Sequence, residues 1–215
     1  MPVLFTTAYF PSVRYMAEAF RSDGIAIEVF ETYTKQTCRN HCLIYGPNGK
    51  HLLSIPVIRP NGNHTITRDV LISTHHSWQK NHWRSIETAY NNSPFFLYYK
   101  DNLASFFNKE YKFLIDLNID ILLVLMKLLQ CSKPTRFTGH YEKTPGGVTD
   151  LRSVTGSKHD INLASYPPYN QVFTPQHGFL PGLTILDLLF NLGPETSWYL
   201  EKFPDLDFSV AQRTT

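Results

Sequence analysis

The opening stretch VLFTTAYFPSVRYMAEAFRSDGIAIEVF (3–30) decides the fold. Val3 to Thr7 is a short β-rich apolar run. Pro11 stands at a position suited to a first helical turn. Val13, Met16, Ala17 and Phe20 then recur at helical spacing, and Asp23-Gly24 stops the helix. Ile25, Ile27 and Val29 share one face of a second strand. Strand, helix, strand predicts a βαβ-like start with a parallel pair, and therefore an α/β domain.

Downstream, Cys42 to Tyr45 and His51 to Val57 are apolar runs joined by Gly46-Pro47-Asn48-Gly49, a hairpin signal, with Pro56 at an edge or strand end. Arg59 to His64 reads as a loop, and Val70 and Ile72 close the strand-rich half. The period changes at Ser77, a candidate N-cap. Trp78, His82, Ile86 and Ala89 form one helical stripe. Ser93-Pro94 restarts the chain into Phe95 to Phe107. A longer helix is predicted from Glu110 to Leu129, with Phe113, Leu117, Ile121, Val124 and Leu128 as its stripe. Residues 132–142 look extended, and 143–168, rich in Gly, Pro, Ser and Asn, read as a mobile insert or lid. Thr184 caps a short helix, Ile185 to Asn191, ended by Gly193-Pro194. The expectation is a single domain over 1–205 with a polar tail at 206–215: a strand-rich N-terminal half and a helical C-terminal half packed on it.

Of 215 residues, 42% are apolar and 18% charged, a globular composition. The net charge of +2 argues against a nucleic-acid partner. Met1 to Phe10 lacks the charged start and cleavage site of a secretory signal. Phe113 to Cys131 is interrupted by Asp116, Asn118, Asp120 and Lys127, so no membrane insertion is expected. Cys38, Cys42 and Cys131 are an odd number without framework spacing, which suits a reducing, cytoplasmic compartment. Cys38, His41 and Cys42 fall short of a zinc set, so no metal is expected. If the segment is a strand, Cys38 and Cys42 are small residues on one of its faces. Without GxGxxG or a Walker lysine, neither a dinucleotide cofactor nor a P-loop is supported.

Four constellations carry chemistry. The turn Thr6 to Pro11 leads from a strand's carboxyl end into a helix, where free N–H groups suit a phosphate or carboxylate; the plainer reading is a helix start. In Lys35-Gln36-Thr37-Cys38-Arg39-Asn40-His41, an extended chain turns Lys35, Thr37, Arg39 and His41 one way. That row of donors is able to grip an anion; the alternative is a solvated edge. His75, His76 and His82 accompany Trp78 and Trp83, and His82 is either a proton carrier or a core histidine satisfied by a carbonyl. In the late segment, His177 and Asp187 stand out. Asp187 lies among apolar residues and requires a partner, for which Arg39, Lys35 or a histidine are candidates.

The stretches TAYFP (7–11), KQTCRNHCLI (35–44), SIPV (54–57), SWQKNHWRSIETAYNNSPFF (77–96), YNQVF (169–173) and HGFLPGLTILDLLFNLGPE (177–195) together resemble the WbqC-like family. That resemblance implies a role in bacterial surface-polysaccharide assembly, of the O-antigen type, with a nucleotide-sugar or lipid-linked sugar as substrate. It implies a transferase, of acyl or aminoacyl groups to an amino sugar or of the glycosyl class; the alternative is a non-catalytic binding or scaffold protein of a polysaccharide assembly complex. A homodimer is a separate expectation. Tyr9, Lys35, Arg39 and Asn40 are the expected substrate-binding residues. His82 or His177 would move a proton and Asp187 would orient one of them, all around a common cavity.

Overall fold

In the computed structural model, which describes residues 1–74, 77–153 and 165–205, Val3–Thr6 forms β1, Val13–Arg21 α1 and Ile25–Glu28 β2. β1 and β2 run parallel, with Val3 opposite Ile25 and Thr6 opposite Glu28. Every residue of both strands is buried, as in a parallel sheet covered on both faces. Two short strands from further along complete the sheet. Thr135–Phe137 (β7) joins β2, and Thr149–Asp150 (β8) joins the other side of β1, giving the order β7-β2-β1-β8. The strand order therefore changes direction beside β1, and the carboxyl ends of β1, β2 and β8 open towards one region, where ligands settle on sheets of this kind.

His41–Gly46 (β3) and Gly49–Ser54 (β4) form the expected hairpin, from His41 opposite Ser54 to Gly46 opposite Gly49. Val57–Ile58 (β5) and Leu71–Ile72 (β6) form a second antiparallel pair. The helices are α2 (Trp78–Tyr90), α3 (Phe96–Asn108), α4 (Leu114–Leu128), α5 (Thr174–His177), α6 (Ile185–Leu192) and α7 (Thr196–Glu201). In α2 the predicted stripe Trp78, His82, Ile86 and Ala89 is buried. In α4 the buried set is Leu114, Leu117, Asn118, Ile121, Leu122, Leu125 and Met126. The helix begins at Leu114 and not at Glu110, and of the expected stripe only Leu117 and Ile121 are buried; Phe113, Val124 and Leu128 are half-buried, because a segment that is apolar all round lets packing choose the face. No helix among the described residues is long and apolar enough to cross a membrane.

The two ends of the chain are stitched together. Ile185 donates its N–H to the Pro11 carbonyl at 2.8 Å, Val13 to Leu183 at 3.1 Å, and Thr184 to Leu43 at 2.9 Å. Thr184 begins α6 but makes no side-chain cap. Its hydroxyl donates instead to the Phe10 carbonyl at 2.8 Å, holding a turn in which Phe10 has a φ of 41°. The late FLPGLT segment is thus the clamp that closes the first strand-to-helix turn.

α6 ends at Gly193, whose φ is 56° and whose missing Cβ would lie 2.5 Å from the Phe95 ring. Gly193→Ala combines a left-handed backbone with that overlap. The overlap includes the Phe95 Cγ at 2.6 Å, which turning the ring does not move, so the whole half-buried side chain must shift; the expected loss is about 2–3 kcal/mol, read from the urea midpoint. The expected tail (206–215), His75, His76 and part of the predicted insert (154–164) lie outside the described residues.

Candidate functional site

A cavity of ≈390 Å³ opens at the carboxyl ends of the parallel strands, lined by Thr6 from β1, Glu31, Thr34, Thr37, Cys38 and Arg39 from the loop after β2, and Asp150, Arg152 and Ser153 from β8 onward. Tyr141 forms its remaining wall. Lys35 to Asn40 is not extended. Gln36 has a φ of 54°, and the N–H groups of Asn40 and His41 both donate to the Thr37 carbonyl, closing a turn. This corrects the expected row of donors. Lys35 is exposed, whereas Arg39 is buried. Cys38 lies in the turn and only Cys42 in the strand, so the two do not share a strand face.

Arg39 is committed to Glu31: its Nε and Nη2 donate to Oε1 at 3.0 and 2.6 Å, while Nη1 donates to Thr37 Oγ1 at 3.0 Å. The Thr6 hydroxyl donates to the same glutamate oxygen. Two of the five guanidinium N–H donors are left over. On the far side, Arg152 donates from Nε and Nη2 to the two Asp150 oxygens at 2.9 and 2.6 Å, and from Nη1 to Glu28 at 3.3 Å. It also stacks over the Tyr141 ring, 5.1 Å from its centroid. Glu28 is fully buried and also accepts from the Phe30 N–H and the Thr138 hydroxyl. The cleft therefore interleaves cationic donors and anionic acceptors, a pattern that matches vicinal hydroxyl groups better than it matches a bare anion.

The remaining expected residues do not share this cavity. The Tyr9 hydroxyl and His82 Nδ1 share a hydrogen bond of 2.9 Å, both residues being buried. The Ser54 backbone is a further hydrogen-bond partner that favours the charged ring, but burial outweighs it. Burial pushes its pKa down to about 4. The Asn40 amide is spent on the Ile55 carbonyl at 3.0 Å. His177 lies on the exposed α5, and its Nε2 contacts the Pro47 carbonyl at 2.7 Å.

Asp187 is fully buried, but its partners are neutral, which corrects the expected cation. Tyr169 donates its hydroxyl to Oδ2 at 2.6 Å and Gln171 its amide at 2.9 Å. Burial pushes this carboxyl up to about 6 against the hydrogen bonds that favour its charge. Of the first turn, only Thr6 lines the cavity. Thr6 to Phe10 are all buried, and the Tyr9 N–H is spent on the Cys38 carbonyl. No group of three His, Cys, Asp or Glu side chains among the described residues is placed to hold a metal ion.

Sequence reasoning found Arg39 but missed Glu31, Asp150 and Arg152. One signal was present: IAIE ends a buried strand on a carboxylate, and Glu31 follows it closely.

A family model described as the WbqC-like protein family matches residues 7–162. The chain belongs to that family. The match spans Glu31, Arg39, Asp150 and Arg152, and ends before His177 and Asp187. Among curated proteins, this WbqC-like chain is 27% identical over 196 residues to the uncharacterized protein Rv1507c of Mycobacterium tuberculosis, covering 78% of this chain and 83% of that one. No solved structure matches it significantly.

Proposed function

We propose that the protein is a transferase acting on an activated or lipid-linked sugar in surface-polysaccharide biosynthesis, with the sugar seated in the cleft at the ends of β1, β2 and β8. The observation that carries this reading is the interleaving of Arg39 and Arg152 with Glu31 and Asp150 around one cavity. Vicinal sugar hydroxyls both donate and accept, and such a site offers both partners at fixed spacing. Glu31 is the group in position to receive a proton. The acceptor's hydroxyl oxygen or amino nitrogen forms the new bond to the transferred acyl, aminoacyl or glycosyl carbon, its proton passes to the Glu31 carboxylate, and the donor's leaving group departs with the bonding pair. Neither His82 nor His177 lines the cleft, so proton transfer is assigned here to the carboxylate.

Arg152→Lys keeps the charge beside Glu28 and Asp150 but loses the planar fork. In calorimetry against a panel of nucleotide sugars, the wild type should bind at least one member. The variant should bind it about tenfold more weakly or worse, with a melting temperature shifted by only a few degrees. Absence of any binding, or equal binding by both proteins, would remove the proposal.

A scaffold role has its own observation. Leu97 and Tyr98 on α3 and Trp198 on α7 are 66%, 75% and 64% exposed, and large exposed apolar side chains suit a protein partner, including a second copy of the chain. Concentration-dependent association that is lost in Tyr98→Ser, with no sugar bound, would favour this second reading.

A further inference from the structure

A second cavity, of ≈310 Å³, lies between the tip of the β3–β4 hairpin and α2. Asn48, Lys50 and His51 line it from the hairpin, and Arg84, Ser85 and Thr88 from the helix. Its charge differs in kind from that of the cleft. There, each guanidinium is matched by carboxylates. Here no carboxylate lines the wall. Among the described residues, the side chains of Lys50 and Arg84 take part in no ion pair or hydrogen bond, so neither cation lining the cavity is already spent on a protein partner. Arg84 also borders a neighbouring groove that holds Glu87, one helical turn on, and Glu110, but it pairs with neither.

The frame that carries these groups is braced. Gly46 and Gly49 face each other across the two-residue turn. The Pro47 carbonyl at its tip contacts His177 Nε2 at 2.7 Å. The Tyr45 hydroxyl, next in the strand, reaches the Phe173 and Gly178 carbonyls at 3.0 and 2.8 Å, fastening the α5 loop to the hairpin. An imidazole picked out in the sequence as a proton carrier is here a strut for the hairpin tip.

From these groups we infer that the hairpin–α2 cavity is a binding site for the phosphoryl group of a small ligand. A fork-shaped guanidinium and an ammonium with no carboxylate in the cavity wall, flanked by two hydroxyls and an amide, match phosphate oxygens. The volume suits a phosphoryl or diphosphoryl group with part of its substituent. β3 carries the hairpin tip away from Arg39 by the rise of a six-residue strand, roughly 15–20 Å, so this site is separate from the sugar cleft and does not depend on it.

The probe is inorganic pyrophosphate, titrated by calorimetry and followed by amide chemical shifts. Saturable binding is expected, with shifts at Gly46, Gly49 and Ser85. Arg84→Gln and Lys50→Gln, both at exposed positions, should each weaken it about tenfold or more without changing the melting temperature. Arg152→Lys should bind pyrophosphate as the wild type does, which separates this site from the cleft. No saturable binding, or binding unaltered in both Gln variants, would overturn the inference. So would sedimentation with vesicles of phosphatidylglycerol and phosphatidylcholine in the absence of pyrophosphate binding, since that marks a membrane-facing surface and not a ligand pocket.

Discussion

Arg39→Ala is expected to lower the unfolding free energy by about 3–5 kcal/mol. The guanidinium and the Glu31 carboxylate are both nearly sealed from solvent, with side-chain exposures of 8% and 11%. Removing the cation leaves a carboxylate that has lost its charge partner and keeps only the Thr6 hydroxyl. For a chain of this length the melting temperature should fall by roughly 10 °C. An extended, solvated row of donors would instead have tolerated the change, because exposed charges contribute little. The double variant Glu31→Gln/Arg39→Met should recover to within about 1 kcal/mol of the wild type, since the cost arises from the orphaned charge. Urea denaturation of the four proteins in this cycle measures the coupling. A single Arg39→Ala variant that melts with the wild type would show that the pair adds nothing, leaving the guanidinium to serve the ligand alone.

Asp187→Asn should raise stability at neutral pH by about 2–3 kcal/mol and change how the protein responds to acid. Burial lifts the Asp187 carboxyl from 3.8 to about 6. Its contribution to stability is therefore fully present below about pH 4 and is lost as the pH rises through 6, a swing of about 3 kcal/mol. His82 works in the opposite sense. Its pKa falls from 6.5 to about 4, so its contribution is present above about pH 6.5 and is lost as the pH falls through 4, again about 3 kcal/mol. In the wild type the two nearly cancel across that window. The asparagine variant removes only the first. It should exceed the wild type at pH 7, converge with it near pH 4, and show a steep acid loss set by His82. Urea midpoints at pH 4, 5, 6 and 7 test this. A variant less stable than the wild type at pH 7 would mean that the charged carboxylate contributes net stability by anchoring Tyr169 and Gln171.

The elements that were legible in the sequence share a physical basis. The βαβ start, the hairpin across Pro47-Asn48 and the stripe Trp78-His82-Ile86-Ala89 are all written in spacings of two to four residues, and in the Gly, Pro and Ser residues that interrupt them. Backbone hydrogen bonds within a turn or between adjacent strands impose those spacings, so local order shows them. β7 and β8 are too short to have a period. They are strands because β2 and β1 offer unpaired edges, and that offer is made from more than a hundred residues away.

The site divides along the same line. The sequence by itself determined that Arg39 is chemically notable, that Asp187 requires a partner, and that the late FLPGLT segment matters. Only the tertiary structure decided that Arg39 meets Glu31, that Arg152 meets Glu28 across 124 positions, that Asp187 is held by neutral groups, and that FLPGLT clamps the first turn. A charge selects its partner by distance and burial once the chain has closed, and residue spacing carries neither quantity.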